Sequence, residues 1–98
     1  MALLFAAANA LNISTPTAPW SVGESVTETW VSAPGDPASF YLRLYGSTET
    51  VLVAADVPTH LGQITFAVPD VPKGEWSIYA VSEDIKQVYA TSGRFVID

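Results

Sequence analysis

The side chains that most often carry out catalysis are scarce in this sequence. It contains one histidine, His60, and no cysteine. Nucleophilic catalysis by serine or cysteine generally needs a base beside the nucleophile and a third group that orients the base. His60 lies in Val57-Pro58-Thr59-His60-Leu61, which is typical of a turn before a strand, and no second triad member is arranged around it. We therefore interpret His60 as a solvated loop residue and predict no catalytic residue.

The ten acidic residues do not form a recognisable metal motif. A zinc site normally takes three or four Cys, His or carboxylate ligands at characteristic spacing, and one histidine cannot supply them. An oxygen-ligand calcium site is the alternative, with Asp56, Asp70, Glu83 and Asp84 as its candidate ligands. These four acids lack the spacing of a calcium-binding loop. We predict no metal and no cofactor.

Hydrolysis of a glycoside needs only two carboxylates, and ten acids supply many pairs. Nothing in the sequence distinguishes any pair from solvated surface acids. The glycines are isolated, so no phosphate-binding loop is present. We predict that the protein is not an enzyme, and a glycoside hydrolase is the least favoured alternative.

Aromatic side chains offer the remaining chemistry. Five of them are predicted on outward strand faces or in loops: Trp20, Tyr41, Tyr45, Tyr79 and Tyr89. Flat rings form platforms for sugar rings, and Tyr and Trp are favoured at the centres of protein interfaces. The same residue types also have high β-propensity, so a purely structural role stays open. These five residues are the predicted ligand-binding set.

One modification motif is present, at Asn12-Ile13-Ser14. This triplet is the acceptor for N-glycosylation in a secreted protein, but it also occurs often by chance. Asn12 is therefore a candidate glycosylation site.

Composition and charge bound the classes of function. A chain of 98 residues is the size of one domain. Its composition, with 49% apolar and 14% charged residues, is typical of a protein with a packed core. Without cysteine, packing alone must hold that core. The formal net charge is −6, and the four bases are scattered along the chain. Binding of nucleic acid is disfavoured because it depends on clustered Lys and Arg.

Short runs of alternating apolar and polar residues, separated by Pro and Gly, predict antiparallel strands throughout the chain. We predict seven of them, near Leu11–Thr15, Ser25–Val31, Ser39–Tyr45, Thr50–Ala55, Gly62–Val68, Glu75–Ser82 and Gln87–Ile97. The last contains a break at Ser92-Gly93, where a bulge would bend it. The predicted fold is an all-β, seven-stranded antiparallel sandwich of the immunoglobulin or fibronectin type.

The alternation also predicts which side chains form the core. The predicted rows are Phe40, Leu42 and Leu44; Ile64, Phe66 and Val68; Trp76, Ile78 and Ala80; and Phe95 and Ile97, joined by Val26 and Trp30. Glu28 falls on the same face as Val26 and Trp30. Because a buried unpaired carboxylate is costly, we expect Glu28 near the rim or paired with Arg43, Arg94 or a hydroxyl group.

Residues 1–10 form an apolar segment that is similar to the end of a signal peptide. Ala8-Asn9-Ala10 fits the small-x-small cleavage rule, but the segment lacks a basic start and is too short to span a bilayer. We predict two parts, 1–10 as this residual segment and 11–98 as the domain. If residues 1–10 are retained, we expect them to extend an edge strand or to pack in a contact between subunits of a homo-oligomer.

Several elements resemble a known family when they are taken in order. They are Leu11-Asn12-Ile13-Ser14-Thr15-Pro16, Trp20-Ser21-Val22-Gly23, Val26-Thr27-Glu28-Thr29-Trp30, Val53-Ala54-Ala55-Asp56-Val57, Val68-Pro69-Asp70-Val71-Pro72-Lys73-Gly74 and Ser92-Gly93-Arg94-Phe95-Val96-Ile97. Together they are similar to the N-terminal immunoglobulin-like domain of the Ser/Thr-rich, GPI-anchored fungal cell-wall proteins, including the yeast proteins needed for β-1,6-glucan assembly. The resemblance covers residues 11–98. The family's usual Ser/Thr-rich stalk and GPI signal lie outside it, and Glu28 stands where the family usually has an apolar residue.

The resemblance implies a secreted or cell-wall domain without enzymatic activity. It would act in cell-wall organisation by binding wall glucan or a wall protein, and the family offers no catalytic residues to carry over. The alternative is a self-assembling secreted structural protein, whose contacts are made by the apolar N-terminal segment and by exposed strand edges.

Overall fold

The computed structural model describes residues 11–98, and about half of these residues lie in strands. The strands are β1 (Asn12–Ile13), β2 (Ser25–Val31), β3 (Ser39–Tyr45), β4 (Thr50–Pro58), β5 (Gln63–Ala67), β6 (Gly74–Val81), β7 (Val88–Thr91) and β8 (Phe95–Ile97). One short 3-10 helix, Thr59–Leu61, joins β4 to β5. The predicted all-β class is confirmed, and β2 and β3 have the predicted bounds.

The predicted count of seven strands is wrong, because the described residues form eight. The break expected at Ser92-Gly93 divides the last predicted strand into β7 and β8, which pair with different halves of β6. At the break, the Ser92 hydroxyl accepts a hydrogen bond from the backbone N–H of Ile78 at 2.9 Å, and the Ser92 N–H donates to the Ile78 carbonyl. A side-chain oxygen thus replaces a backbone carbonyl and ends the regular ladder.

Two antiparallel sheets face each other across the core. The smaller has the order β1-β2-β5, and the larger has the order β4-β3-β6-β7, with β8 also paired to β6. A parallel bridge between Trp20 and Ile97 adds the segment before β2 to the edge of β8. The two sheets therefore form the predicted sandwich.

The core follows the predicted alternation in most strands. Leu42, Leu44, Ile78 and Ile97 are fully buried, and burial of one such side chain stabilises the fold by roughly 1.5–3 kcal/mol. Ile64 and Phe66 are only half-buried. They belong to β5, which ends the order of the smaller sheet and so has a strand on one side only.

Glu28 is buried in this core, with 1% of its surface exposed. The Ser14 hydroxyl donates a hydrogen bond to its carboxylate at 3.2 Å, and Ser14 accepts one from the Thr29 hydroxyl at 3.0 Å. The expected hydroxyl partner is confirmed, whereas Arg94 pairs with Glu75 instead. Burial raises the pKa of the Glu28 carboxyl from 4.5 to about 7, and the bond from Ser14 only partly opposes this effect.

Two predictions remain, one for the N-terminal segment and one for a membrane span. The expected placement of residues 1–10 against an edge strand or a second subunit lies outside the described residues. Among residues 11–98, no helix has the length and apolar character needed to cross a membrane.

Candidate functional site

The outer face of the larger sheet carries three of the five predicted aromatic residues. Along β3, Tyr41, Arg43 and Tyr45 are half-buried and alternate with the fully buried Phe40, Leu42 and Leu44. Tyr79 lies directly across from Arg43 on the neighbouring strand β6. The sheet therefore gathers Tyr41, Tyr45 and Tyr79 on one surface, as the alternation predicted.

The prediction that Trp20 faces outward is wrong. Its side chain is 7% exposed and packs edge-on against Phe66 and Phe95, with ring centroids at 5.7 and 4.7 Å. Trp20 lies in a single-residue bridge between Pro19 and the Ser21 turn, where no strand alternation indicates its direction. It is a core residue.

The outward placement predicted for Tyr89 is wrong as well. This residue is half-buried and packs against the hydrophobic core cluster. The pairing of β6 with β7 shifts register between Ala80 and Val81, so simple alternation does not hold along β7.

Tyr45 and Tyr79 form a stacked pair. Their ring centroids are 4.0 Å apart, and the ring planes differ by 21°. Tyr45 pairs with Ser77 in the strand register, so Tyr79 is its diagonal neighbour, within reach of a large ring. Packing of one ring on the other restricts the rotamers open to both side chains.

A cleft of about 270 Å³ lies beside this pair. It is lined by residues from the end of β3 and the turn after it, from β6, and from the position just before β8: Tyr45, Gly46, Ser47, Glu75, Trp76, Ser77, Tyr79 and Arg94. Trp76 is 4% exposed and donates a hydrogen bond from its indole Nε1 to the Pro72 carbonyl at 3.1 Å. A smaller depression of about 70 Å³ adjoins the cleft and shares Ser47, Glu75 and Trp76 with it.

Gly46 is needed where the chain passes over Trp76. A Cβ atom at this position would lie 2.9 Å from the indole ring, closer than real Cβ contacts. The requirement comes from this close approach, because the φ angle of Gly46 is not in the left-handed region. The close approach shapes the end of the cleft nearest the β3–β4 turn.

Charged groups of both signs line the rim of the cleft. The Arg94 guanidinium lies 3.2 Å from the Glu75 carboxylate, and the two side chains are 79% and 65% exposed. An exposed pair of this kind contributes only about 0–1 kcal/mol to stability. Both side chains can therefore exchange their mutual contact for a ligand at small cost, and Ser47 and Ser77 add hydroxyl groups.

Two more side chains extend this surface away from the cleft. The Nε of Arg43 is buried and has no hydrogen-bond acceptor among the described residues. The Tyr41 hydroxyl lies near the carboxylates of Glu83 and Asp56. Partial desolvation, followed by the negative charges of Glu83 and Asp56, raises the pKa of this hydroxyl.

The residues considered for catalysis or metal binding are dispersed. His60 is exposed in the 3-10 helix. Within residues 11–98, no three His, Asp or Glu side chains are close enough together to hold a metal ion. Asn12 is exposed at the start of β1, and its glycosylation stays a prediction.

Sequence reasoning missed Glu75, Arg94, Trp76 and Gly46 as parts of a site. Glu75 and Arg94 meet only because β8 pairs with the first half of β6, and that pairing was not predicted. The nearest signal is the order Glu75-Trp76 and Arg94-Phe95, since each places a charged residue beside a core aromatic.

Comparison with known proteins gives one finding. The family model described as the Kre9/KNH-like N-terminal Ig-like domain matches residues 14–97, which is most of the chain. No curated protein and no solved structure matches the chain significantly.

Proposed function

The chain belongs to the Kre9/KNH-like N-terminal Ig-like domain family, and from this premise we propose that it is a non-enzymatic module that binds a wall glucan in the cleft beside Tyr45 and Tyr79. The family is related to glucan assembly in the fungal cell wall and is not a known class of enzyme. It also supports an extracellular or wall location. The observation that carries the proposal is the stacked tyrosine pair beside a cleft with an exposed carboxylate and guanidinium.

The chemistry of the cleft suits a sugar. A pyranose ring presents an apolar face of C–H groups, which packs on an aromatic ring, and a rim of hydroxyl groups. Glu75 accepts hydrogen bonds from hydroxyls, Arg94 donates them, and bonds to charged groups are stronger than neutral ones. A few placed polar groups around apolar surface are typical of a small-molecule site.

A neutral glycan suits the charge of the protein better than an acidic one. The net charge is −6, and Arg94 at the cleft is already neutralised by Glu75. The cleft is also small for protein recognition, since a stable protein interface buries about 800 Å² on each partner. Binding of a wall protein at this cleft is therefore the weaker version of the proposal.

The test is binding to laminarin-type β-1,3-glucan and pustulan-type β-1,6-glucan, measured by affinity electrophoresis and calorimetry. We expect the wild type to be retained on at least one of them. Tyr45→Ala should weaken binding about tenfold, because ring packing contributes up to about 1.5 kcal/mol. The matched control is Tyr45→Phe, which keeps the ring and should bind nearly as well as the wild type.

Two results would count against this function. The first is absence of retention on any wall polysaccharide. The second is an equal loss of glucan binding in Tyr45→Ala and in Thr27→Ala, since Thr27 lies on the exposed face of the smaller sheet. Thermal melting of each variant separates loss of binding from loss of folding.

A second candidate function is self-association, and β5 supports it. Its outer edge has no strand partner among the described residues, and no charged residue occurs from Leu61 to Pro69. Regular uncharged edges tend to pair with another chain. The edge of β4 is less suited, because register shifts interrupt its pairing with β3.

Sedimentation that shows a dimer in the wild type and a monomer in Thr65→Lys would favour this candidate, and deletion of residues 1–10 tests the N-terminal segment in the same way.

A further inference from the structure

We propose that the binding surface continues from the cleft along β3 to Arg43 and Tyr41, so that the ligand is an extended segment of a neutral glycan chain. This inference rests on the proposed function, since it assumes that the cleft beside Tyr45 and Tyr79 binds sugar. It goes further in naming two more contact residues and in excluding a single sugar unit as the full ligand.

The row of outward side chains on β3 is longer than one sugar ring. Tyr41, Arg43 and Tyr45 alternate on the outer side of β3, and Tyr79 lies across from Arg43. Four residues along a strand span about 13 Å. Contacts between two rings reach centroid distances of only about 4.5–7 Å, so one sugar stacked at Tyr45 cannot also touch Tyr41. A ligand that uses both ends must have several units.

The Arg43 side chain has few polar partners of its own. Its Nε is buried and has no acceptor, and Arg43 forms no ion pair with another residue of the part of the chain that the structure describes. A buried donor without an acceptor is costly, and most native structures avoid it. Arg43 as a whole is half-buried, so an oxygen-rich chain lying over it would offer acceptors to the terminal N–H groups of a guanidinium that lacks an ion-pair partner within the described residues.

The larger sheet is irregular near Tyr41 and Arg43. The pairing of β3 with β4 shifts register on both sides of Leu42, and the pairing of β6 with β7 shifts between Ala80 and Val81. Tyr41 lies directly across from Val81, so these irregularities surround the Tyr41 and Arg43 end of the row. Bulges are over-represented beside functional sites, where they change the direction of a side chain.

The charge along the row favours a neutral chain. Glu83 and Asp56 lie close enough to Tyr41 to act on its hydroxyl, and Glu75 lies at the opposite end. A polyanionic glycan would meet carboxylates at both ends. Hydroxyl groups can instead donate to these carboxylates and accept from Arg43.

The experiment compares a disaccharide with a hexasaccharide of the same β-glucan by calorimetry. We expect the wild type to bind the hexasaccharide at least tenfold more tightly. Tyr41→Leu keeps an apolar cover over Val81 but removes the ring, and Arg43→Gln removes the guanidinium. Each should lower affinity for the hexasaccharide about fivefold to tenfold and leave affinity for the disaccharide unchanged. Tyr45→Ala should weaken both.

Tyr41→Phe keeps the ring and is the control for Tyr41→Leu. Arg43→Lys keeps the positive charge and is the variant to use if Arg43→Gln fails to fold. Equal affinity of the wild type for the two sugars would overturn this inference and leave the cleft intact as a sugar site. Hexasaccharide affinity that is unchanged in both Tyr41→Leu and Arg43→Gln would also overturn this inference. Failure of the wild type to bind either sugar would overturn the proposed function along with it.

Discussion

At the scale of single residues, Glu28 shows how one side chain departs from a pattern that its neighbours follow. Alternation placed it on the core face, and it is buried there with Ser14 as its hydrogen-bond donor. A strand pattern can predict this burial because the period of two is strict. It cannot identify Ser14 as the partner, because that contact depends on how the residues after β1 cross β2.

Glu28 should make the stability of the protein depend on pH. Its carboxyl binds a proton more tightly in the folded chain, with the pKa raised from 4.5 to about 7. The stabilisation is complete below pH 4.5 and is lost as the pH rises through about 7, a total loss of about 3 kcal/mol. Urea unfolding of the wild type across this range should show the decrease, and Glu28→Gln should remove it.

The control for this prediction is Glu49→Gln, which changes an exposed acid in the β3–β4 turn. It should leave the decrease in place. A free energy of unfolding with the same pH dependence in the wild type and in Glu28→Gln would contradict the effect of burial on this carboxyl.

Gly46 gives a second prediction at this scale. In Gly46→Ala the new Cβ would meet the Trp76 ring at 2.9 Å, and overpacking of this kind costs about 1–3 kcal/mol. We expect a lower midpoint of thermal unfolding and a shift in tryptophan fluorescence. Gly93→Ala is the comparison, because its Cβ would lie 3.3 Å from the hydroxyl of the exposed Thr15, so that a shift of a few tenths of an ångström relieves the contact. A smaller decrease in the midpoint of thermal unfolding for Gly46→Ala than for Gly93→Ala would contradict this prediction.

At the scale of elements, regular strands were predictable and their interruptions were less so. The bounds of β2 and β3 follow from alternation alone, because one face of each strand is buried over seven residues and only Glu28 on those two buried faces is polar. The break near Ser92 was visible in the sequence. Its consequence was not, because β7 and β8 pair with separate halves of β6 and this depends on tertiary packing.

Trp20 is the clearest failure at this scale, and it leads to a prediction. It lies outside any strand, so periodicity carries no information about its side chain, yet it joins the two sheets through Phe66 and Phe95. Trp20→Ala should lower the free energy of unfolding by about 3–5 kcal/mol. Chemical unfolding measures this, with Trp20→Phe expected to lose less. A loss below 1 kcal/mol in Trp20→Ala would indicate a solvent-exposed side chain.

At the scale of the whole molecule, the proposed function requires that the tyrosine-bearing face of the sandwich, and not the opposite face, binds the ligand. The two outer faces differ in chemistry. The larger sheet presents tyrosines and arginine, whereas exposed Thr27, Thr29 and Thr65 lie on the smaller sheet, with Thr27 and Thr65 hydrogen-bonded to each other. The sequence predicted the tyrosine face but not the cleft, because the cleft needs β8 beside β6.

The most direct measurement is a titration of the isotope-labelled protein with a soluble β-glucan oligosaccharide, followed by amide chemical shifts in NMR spectra. We predict that the largest shifts fall on β3 and β6 around Tyr45 and Tyr79, and on Arg94. Shifts centred on Thr27 and Thr65, or spectra that do not change at saturating sugar, would contradict binding at the tyrosine cleft.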